Sequence, residues 1–151
     1  MKTLLLLLMV GTISKGYTQR AEDSVKQTIN TMFAGMKNSN PDLLRSVFAD
    51  SALLQTISRN KVSGVISVRN EPIQQFIEQV SGLPKDAADE RITFDMVKID
   101  ADLASVWTPY QFYYEGKFSH CGVNSFQLVR IKGQWKIQYI IDTRRKDNCI
   151  N

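Results

Sequence analysis

Tyr113-Tyr114-Glu115-Gly116-Lys117-Phe118-Ser119-His120-Cys121-Gly122 is the stretch whose reading decides the fold. Residues of high strand preference run into Glu115-Gly116-Lys117 and out again, the pattern of two antiparallel strands joined by a tight turn. The only histidine of the chain and one of its two cysteines follow that turn directly. A site on this sheet is therefore sought first around His120.

Period-two alternation continues outward in both directions. The strand before the turn starts at Leu103, and the strand after it runs from Phe118 to Ile131. Lys132-Gly133 makes a second turn, and a final strand covers Gln134 to Thr143. Upstream, Ile92, Phe94, Met96 and Lys98 alternate with Thr93, Asp95, Val97 and Ile99 up to a turn at Asp100-Ala101-Asp102. Short turns make these four segments antiparallel neighbours.

Turn positions set the register, and the register assigns faces. Counting from Lys132-Gly133, Arg130 pairs Trp135, Leu128 pairs Ile137, Phe126 pairs Tyr139 and Asn124 pairs Ile141. Trp135, Ile137, Tyr139, Ile141 and Thr143 then form the inner face of the last strand, with Ile140, Asp142 and Arg144 outside. Across the Gly116 turn, Phe112 lies opposite His120 and Thr108 opposite Asn124. The candidate ligand-binding set is Thr108, Tyr110, Phe112, His120, Asn124 and Tyr139. An aromatic wall with a few polar tips suits a small-molecule pocket. It equally suits a plain sheet core whose tyrosines reach the rim.

Cys121 falls on the outer face near Arg144, and Cys149 lies five residues beyond Arg144. A straight continuation would leave them roughly 16 Å apart at about 3.3 Å per residue. A disulfide requires the tail to turn back, for which Asp147-Asn148 is suitable material. The two cysteines are either bridged in this way or two free thiols.

The first half of the chain is helical. Val25, Ile29, Met32, Phe33 and Met36 form one apolar stripe in a helix over Glu22 to Lys37, with Glu22 and Asp23 in its first turn. Asn40-Pro41-Asp42 opens a short second helix ending near Asp50, with Leu43, Leu44, Val47 and Phe48 buried. Ser51 to Arg59 reads as a strand, and Asn60 to Arg69 as a hairpin arm or loop interrupted by Gly64. Asn70 caps a third helix that ends at Ser81-Gly82, and Lys85 to Asp89 is a polar connector.

At 151 residues, with 43% hydrophobic and 23% charged residues, the composition is that of one ordinary globular domain. Met1-Lys2-Thr3 followed by Leu4 to Val10 has the pattern of a secretory leader, with cleavage near Thr18/Gln19. The domain then covers residues 19–151, exported to a periplasmic or extracellular space, without a lipid anchor and without membrane association after cleavage. Loss of Lys2 and Lys15 lowers the net charge from +4 to +2, and the remaining basic residues form no stripe, which argues against nucleic acid as a partner. One histidine and two cysteines do not make a metal ligand set, and no cofactor is expected.

Helix, helix, strand, helix and a four-stranded meander resembles the nuclear transport factor 2-like superfamily. The residues that carry the likeness are Leu43-Leu44-Arg45-Ser46-Val47-Phe48-Ala49-Asp50-Ser51-Ala52 and Trp135-Lys136-Ile137 after a glycine turn. Val106-Trp107-Thr108-Pro109-Tyr110-Gln111-Phe112-Tyr113-Tyr114 through Ser119-His120-Cys121-Gly122, with a terminal cysteine, is similar to its exported "putative lumazine-binding" group. The resemblance implies an α+β, cystatin-like cone: three N-terminal helices packed in the concave face of a strongly curved, mostly antiparallel sheet. It implies a cavity more than an activity.

Non-catalytic binding of a small apolar or aromatic ligand in the cone is the leading expectation. An isomerase- or dehydratase-like enzyme is the alternative, with His120 as base and Tyr110 or Tyr139 as donor to a developing enolate. The isomerase relatives place an acid in the first-strand region, whereas Ala52 to Arg59 holds none, and Asp142 is expected to point outward. A third reading is a homodimeric assembly module joined through outward Trp107, Pro109, Tyr113, Val123 and Ile140.

Overall fold

A computed structural model describes residues 11–60 and 62–149. Its elements are α1 (Gly11–Lys37), α2 (Pro41–Val47), β1 (Phe48–Arg59), β2 (Ile66–Glu71), α3 (Ile73–Ser81), β3 (Ala88–Ile92), β4 (Met96–Asp100), β5 (Leu103–Tyr114), β6 (Lys117–Ile131) and β7 (Gln134–Arg145). The strands form one curled, unclosed sheet in the order β2-β1-β7-β6-β5-β3, with β4 also paired to β5. Among the described residues, only the β1–β7 pair is parallel. Three helices cover one face of this sheet, the expected α+β cone.

The core follows from the apolar stripes. Val25, Ile29, Met32, Phe33 and Met36 of α1 are buried, and Phe33 meets Phe126 of β6 edge to face at 6.2 Å. Leu44 of α2 packs where Gly35 leaves room; a Cβ at Gly35 would lie 3.0 Å from the Leu44 side chain. Ile77 and Val80 bury the inner side of α3. α1 extends beyond the sequence expectation, so Glu22 sits inside the helix, where it pairs with Lys26 at 2.6 Å rather than facing the helix dipole. The predicted leader falls mainly on residues 1–10, outside the described residues.

Three boundaries differ from the sequence reading. Asn40 caps α2 as expected, its Oδ1 accepting from the amides of Asp42 and Leu43, but the helix ends at Val47. Phe48 is already extended and paired with Ile137, because the strand gains a partner there. Asn70 does not cap α3; it lies in β2 opposite Gln55 and accepts that side chain's amide at 2.7 Å. Pro72 biases the residue before it towards extended backbone, so the helix starts after the proline.

The segment Lys85 to Asp89 is not all connector: Ala87, Ala88 and Asp89 are buried, and β3 begins at Ala88. The single strand expected up to Ile99 is two strands, β3 and β4, both on β5. The break faces Pro109, which has no N–H for a ladder bond, though its carbonyl accepts from the Thr93 amide. Side-chain parity shifts across the break. Ile92, Phe94, Val97 and Ile99 pack on the core, while Met96 is exposed.

From Phe112 outward the register between β5 and β6 is as predicted: Phe112 faces His120, Tyr110 faces Gly122, and Thr108 faces Asn124; beside the turn a bulge pairs Tyr113 with Phe118 and Tyr114 with Lys117. Between β6 and β7 it holds only to Leu128 and Ile137. A bulge then leaves Gln138 without a register partner on β6, and Gln127 pairs Tyr139, Phe126 pairs Ile140 and Asn124 pairs Asp142. Beyond this point every side chain of β7 changes face. Ile140 is core at 7% exposure, Asp142 is buried, and the predicted inward positions Tyr139, Ile141 and Thr143 belong to the other side. The proposed outer apolar patch loses Ile140 for this reason, and Pro109 and Val123 are buried as well.

After β7 the chain turns back through Asn148, whose φ is 50°, and Arg145 Nε donates to the Asn148 carbonyl. Cys121, opposite Arg145 rather than Arg144, is joined to Cys149 with a Cα–Cα distance of 5.7 Å. Closing this 28-residue separation contributes about 3–4 kcal/mol on a chain-entropy basis.

Candidate functional site

Between the helices and the sheet lies a cavity of about 350 Å³. Its helix wall is apolar: Met32, Phe33 and Met36 from α1, Phe76 and Val80 from α3, and Leu83 just beyond. Its sheet wall carries the chemistry, with Thr56, Glu90, His120, Asn124, Asp142 and Arg144 among Leu54, Phe112 and Ile140. Arg69 and Glu71 of β2 stand at the exposed side.

Each polar group is placed by strand parity. Thr56, Asn124 and Asp142 come from adjoining strands at one level of the sheet, since Thr56 and Asn124 both pair Asp142. Arg144 Nε donates to Asp142 Oδ2 at 2.9 Å, and Arg144 Nη2 donates to Thr56 Oγ1 at 3.1 Å. Burial opposes the charge of Arg144, but the Asp142 carboxylate more than offsets this and keeps the guanidinium firmly protonated. Tyr110 lies behind this pair, its hydroxyl within donating distance of Asp142 Oδ2 (3.1 Å) and the Thr143 carbonyl (2.9 Å). Burial first, then the nearby carboxylates, push its phenol far above the ordinary range.

That arrangement depends on Gly122. A Cβ there would overlap the Thr143 carbonyl and sit 2.7 Å from Tyr110 Cε1. Close approach of backbone and ring is a role only glycine fills here.

Glu90 is a further acid of the cavity. Asn124 Nδ2 donates to its Oε1 at 2.8 Å, and also approaches Thr108 Oγ1 at 3.5 Å. Burial pushes the Glu90 carboxyl up to about 7; the Asn124 bond and the Arg144 charge pull it down, and the Asp142 charge adds to the rise. Its neighbour Asp89, one residue away and on the other face, has the opposite fate. Burial would raise it, but hydrogen bonds from Lys37 and Arg91 hold it below the usual carboxylate range.

His120 lines the cavity half-buried, its ring 5.0 Å from Phe112 and edge-on to Tyr110 at 5.7 Å. Nδ1 meets Ser119 Oγ at 3.1 Å, and among the described residues no carboxylate bonds to the ring. Burial, then the Arg144 charge, lowers its pKa, so the imidazole is neutral at pH 7. A neutral ring without an orienting acid is a weak general base.

Of the six residues predicted to bind ligand, Phe112, His120 and Asn124 line the cavity. Thr108 and Tyr110 lie behind its wall as hydrogen-bond partners of Asn124 and Asp142. Tyr139 does not reach it: beyond the bulge its hydroxyl donates to Gln55 at 2.5 Å. Sequence reasoning missed Glu90, Asp142 and Arg144. Glu90 fell between the supposed connector and strand, and the other two were assigned to the wrong face. Among the described residues no three His, Cys, Asp or Glu side chains gather to hold a metal ion.

Residues 20–139 match the family model described as "Putative lumazine-binding". A comparison with curated proteins gives no match. Among solved structures, an NTF2-like protein of unknown function from Shewanella baltica OS155 superposes with a TM-score of 0.67 at 14% identity, covering 87% of this chain and 98% of that one. An NTF-2 like protein of unknown function from Silicibacter pomeroyi DSS-3 gives 0.64 at 14% identity, covering 85% and 98%. A cystatin-like domain of unknown function from Nostoc punctiforme PCC 73102 gives 0.63 at 14% identity, covering 85% and 80%. At these identities the structural likeness establishes the nuclear transport factor 2-like cone and nothing about chemistry.

Proposed function

This chain belongs to the "Putative lumazine-binding" family, and from that premise we propose that its cone cavity holds a small planar heteroaromatic molecule without transforming it. One observation carries the reading. The cone is not filled by its own side chains: about 350 Å³ remains between an apolar helix wall and a sheet wall of converging polar groups. That volume and that division of surfaces suit a bicyclic ring system. Phe76, Phe112 and the methionines supply flat apolar contact. Glu90, Asn124, Asp142 and Arg144 supply acceptors and donors for one polar edge.

The test is direct titration of the purified chain with lumazine, followed by ligand fluorescence and by native mass spectrometry. Binding at one site per chain, lost on blocking the cavity, supports the reading. Absence of binding across pH 5 to 8, together with no copurifying small molecule, overturns it.

The setting is also a proposal. The Cys121–Cys149 bridge supports an oxidising compartment, in keeping with the leader pattern at residues 1–18. Half-exposed Trp107, with Leu53 and Val68 also exposed, supports self-association through the outer sheet face, which sedimentation at several concentrations would test.

A further inference from the structure

The donors on the sheet wall are unevenly spent. Arg144, the nearest cation, gives Nε to Asp142 and Nη2 to Thr56. Tyr110 directs its hydroxyl at Asp142 and the Thr143 carbonyl. Asn124 gives its amide to Oε1 of Glu90. Among the described residues no donor meets the second carboxyl oxygen of Glu90, and this residue lines the cavity. The second carboxyl oxygen of Glu90 is thus an acceptor that the protein leaves unmatched, beside a flat apolar wall. An unmatched acceptor in such a place is satisfied either by solvent or by a ligand donor.

We propose that Glu90 is the recognition residue of the cavity, accepting an N–H of a planar nitrogen heterocycle on its second oxygen and releasing its own proton to solvent as the ligand binds. The inference rests on the cavity reading above and adds the ligand class: uncharged heterocycles of the lactam, imide or aminoazine type. Anionic ligands are disfavoured, because the cation Arg144 is already neutralised by Asp142. The proton balance is simple. The neutral carboxyl loses its proton to buffer, the ligand keeps its N–H, and the new hydrogen bond is charge-assisted.

The groups around Glu90 leave this titration distinct. Asp142 and Arg144 face it from β7 as a paired charge, and Tyr110 from β5 stays protonated. His120 from β6 is neutral at pH 7, and Arg69 and Glu71 from β2 stand at the exposed side. The helices contribute apolar side chains and Gln79 to the cavity, and Lys37 of α1 is held by Asp89. A Glu90 carboxyl titrating at about 7 is therefore the group that ligand binding moves near neutrality.

The test is calorimetric titration of the disulfide-intact chain in two buffers of different ionisation heat. The probes are lumazine and the derivative methylated on both ring N–H nitrogens. Lumazine is expected to bind roughly fifteenfold tighter at about pH 7 than at about pH 5.5, the ratio of ionised Glu90 in the free protein. About half a proton per site should be released at pH 7. The dimethyl probe should bind at least tenfold more weakly at pH 7 and release none, and Glu90→Gln should flatten the pH dependence for lumazine. Equal affinity for both probes, or an unchanged pH profile in Glu90→Gln, overturns the role of Glu90 while the cavity reading stands. Affinity that falls with rising pH means the neutral carboxyl donates to the ligand, and also overturns it. No binding of either probe removes both readings together.

Discussion

Replacing Glu90 by Gln should stabilise the protein at alkaline pH, although it removes a charged, hydrogen-bonded side chain. The carboxyl titrates at about 7 in the fold against an ordinary value of 4.5. At 1.36 kcal/mol per unit, this difference corresponds to about 3 kcal/mol between the fully protonated and fully ionised forms. Its partial access to solvent trims this to about 2–3 kcal/mol. The sign follows from proton binding. Between pH 4.5 and 7 the folded chain holds a proton that the unfolded chain has lost, so Glu90 makes stability fall as pH rises through that window and level off above it. His120 works in the opposite direction, since its lowered folded pKa makes stability rise with pH in its own range. Comparing variant with parent cancels the histidine. Urea unfolding followed by fluorescence of Trp107 and Trp135, at intervals from pH 5 to 8.5, would read the difference directly. Glu90→Gln should match the parent within about 1 kcal/mol near pH 5 and exceed it by about 2–3 kcal/mol near pH 8. A difference that is constant with pH, or that shrinks as pH rises, refutes the reasoning.

Other expectations rest on different parts of the fold. Gly122→Ala should cost at least about 2 kcal/mol in urea unfolding, because the new methyl overlaps the Thr143 carbonyl and the Tyr110 ring; a loss below about 0.5 kcal/mol would contradict the close approach. Cys149→Ser should lower stability by about 3–4 kcal/mol, with the parent falling to the same level under reducing conditions. Val80→Trp should fill the cavity from α3 and weaken lumazine binding at least tenfold while far-ultraviolet circular dichroism stays that of the parent; retained affinity would place the ligand elsewhere.

The architecture was legible because its signals are local. Glycine at positions 116 and 133, with φ of 75° and 80°, closes two tight hairpins, and counting from those turns gives the β5–β6 register from the Phe112–His120 pair onward, a bulge shifting it only beside the turn. The α1 stripe and the Asn40-Pro41 cap were equally plain. The errors lie where pairing overrides pattern. Along Trp135 to Arg144 apolar residues occur at both parities, Ile137, Tyr139 and Ile141 on one and Ile140 on the other, so hydrophobicity cannot locate a bulge. β7 is held by β6 on one side and by β1 in parallel on the other, and the register on both sides shifts in this region. Ala88-Asp89-Glu90 has little strand preference of its own and is a strand because β5 offers it an edge.

One residue without a register partner on β6, Gln138, therefore determines the character of the site. Without that bulge Tyr139 and Thr143 would face the cone, and the wall would be aromatic with hydroxyl tips. With it, Ile140 completes the core and Asp142 and Arg144 enter the cavity together. They enter as a pair 2.9 Å apart, so the cavity gains dipole and hydrogen-bonding capacity with almost no net charge. Asp142 is thereby committed to Arg144 and Tyr110, and Glu90 has no cationic partner within bonding distance among the described residues. A site built in this way has its response to pH near neutrality concentrated in a single carboxyl. The alkaline gain in stability of Glu90→Gln and the pH dependence of ligand binding are two readings of that one group, and both should level off as pH rises past about 7.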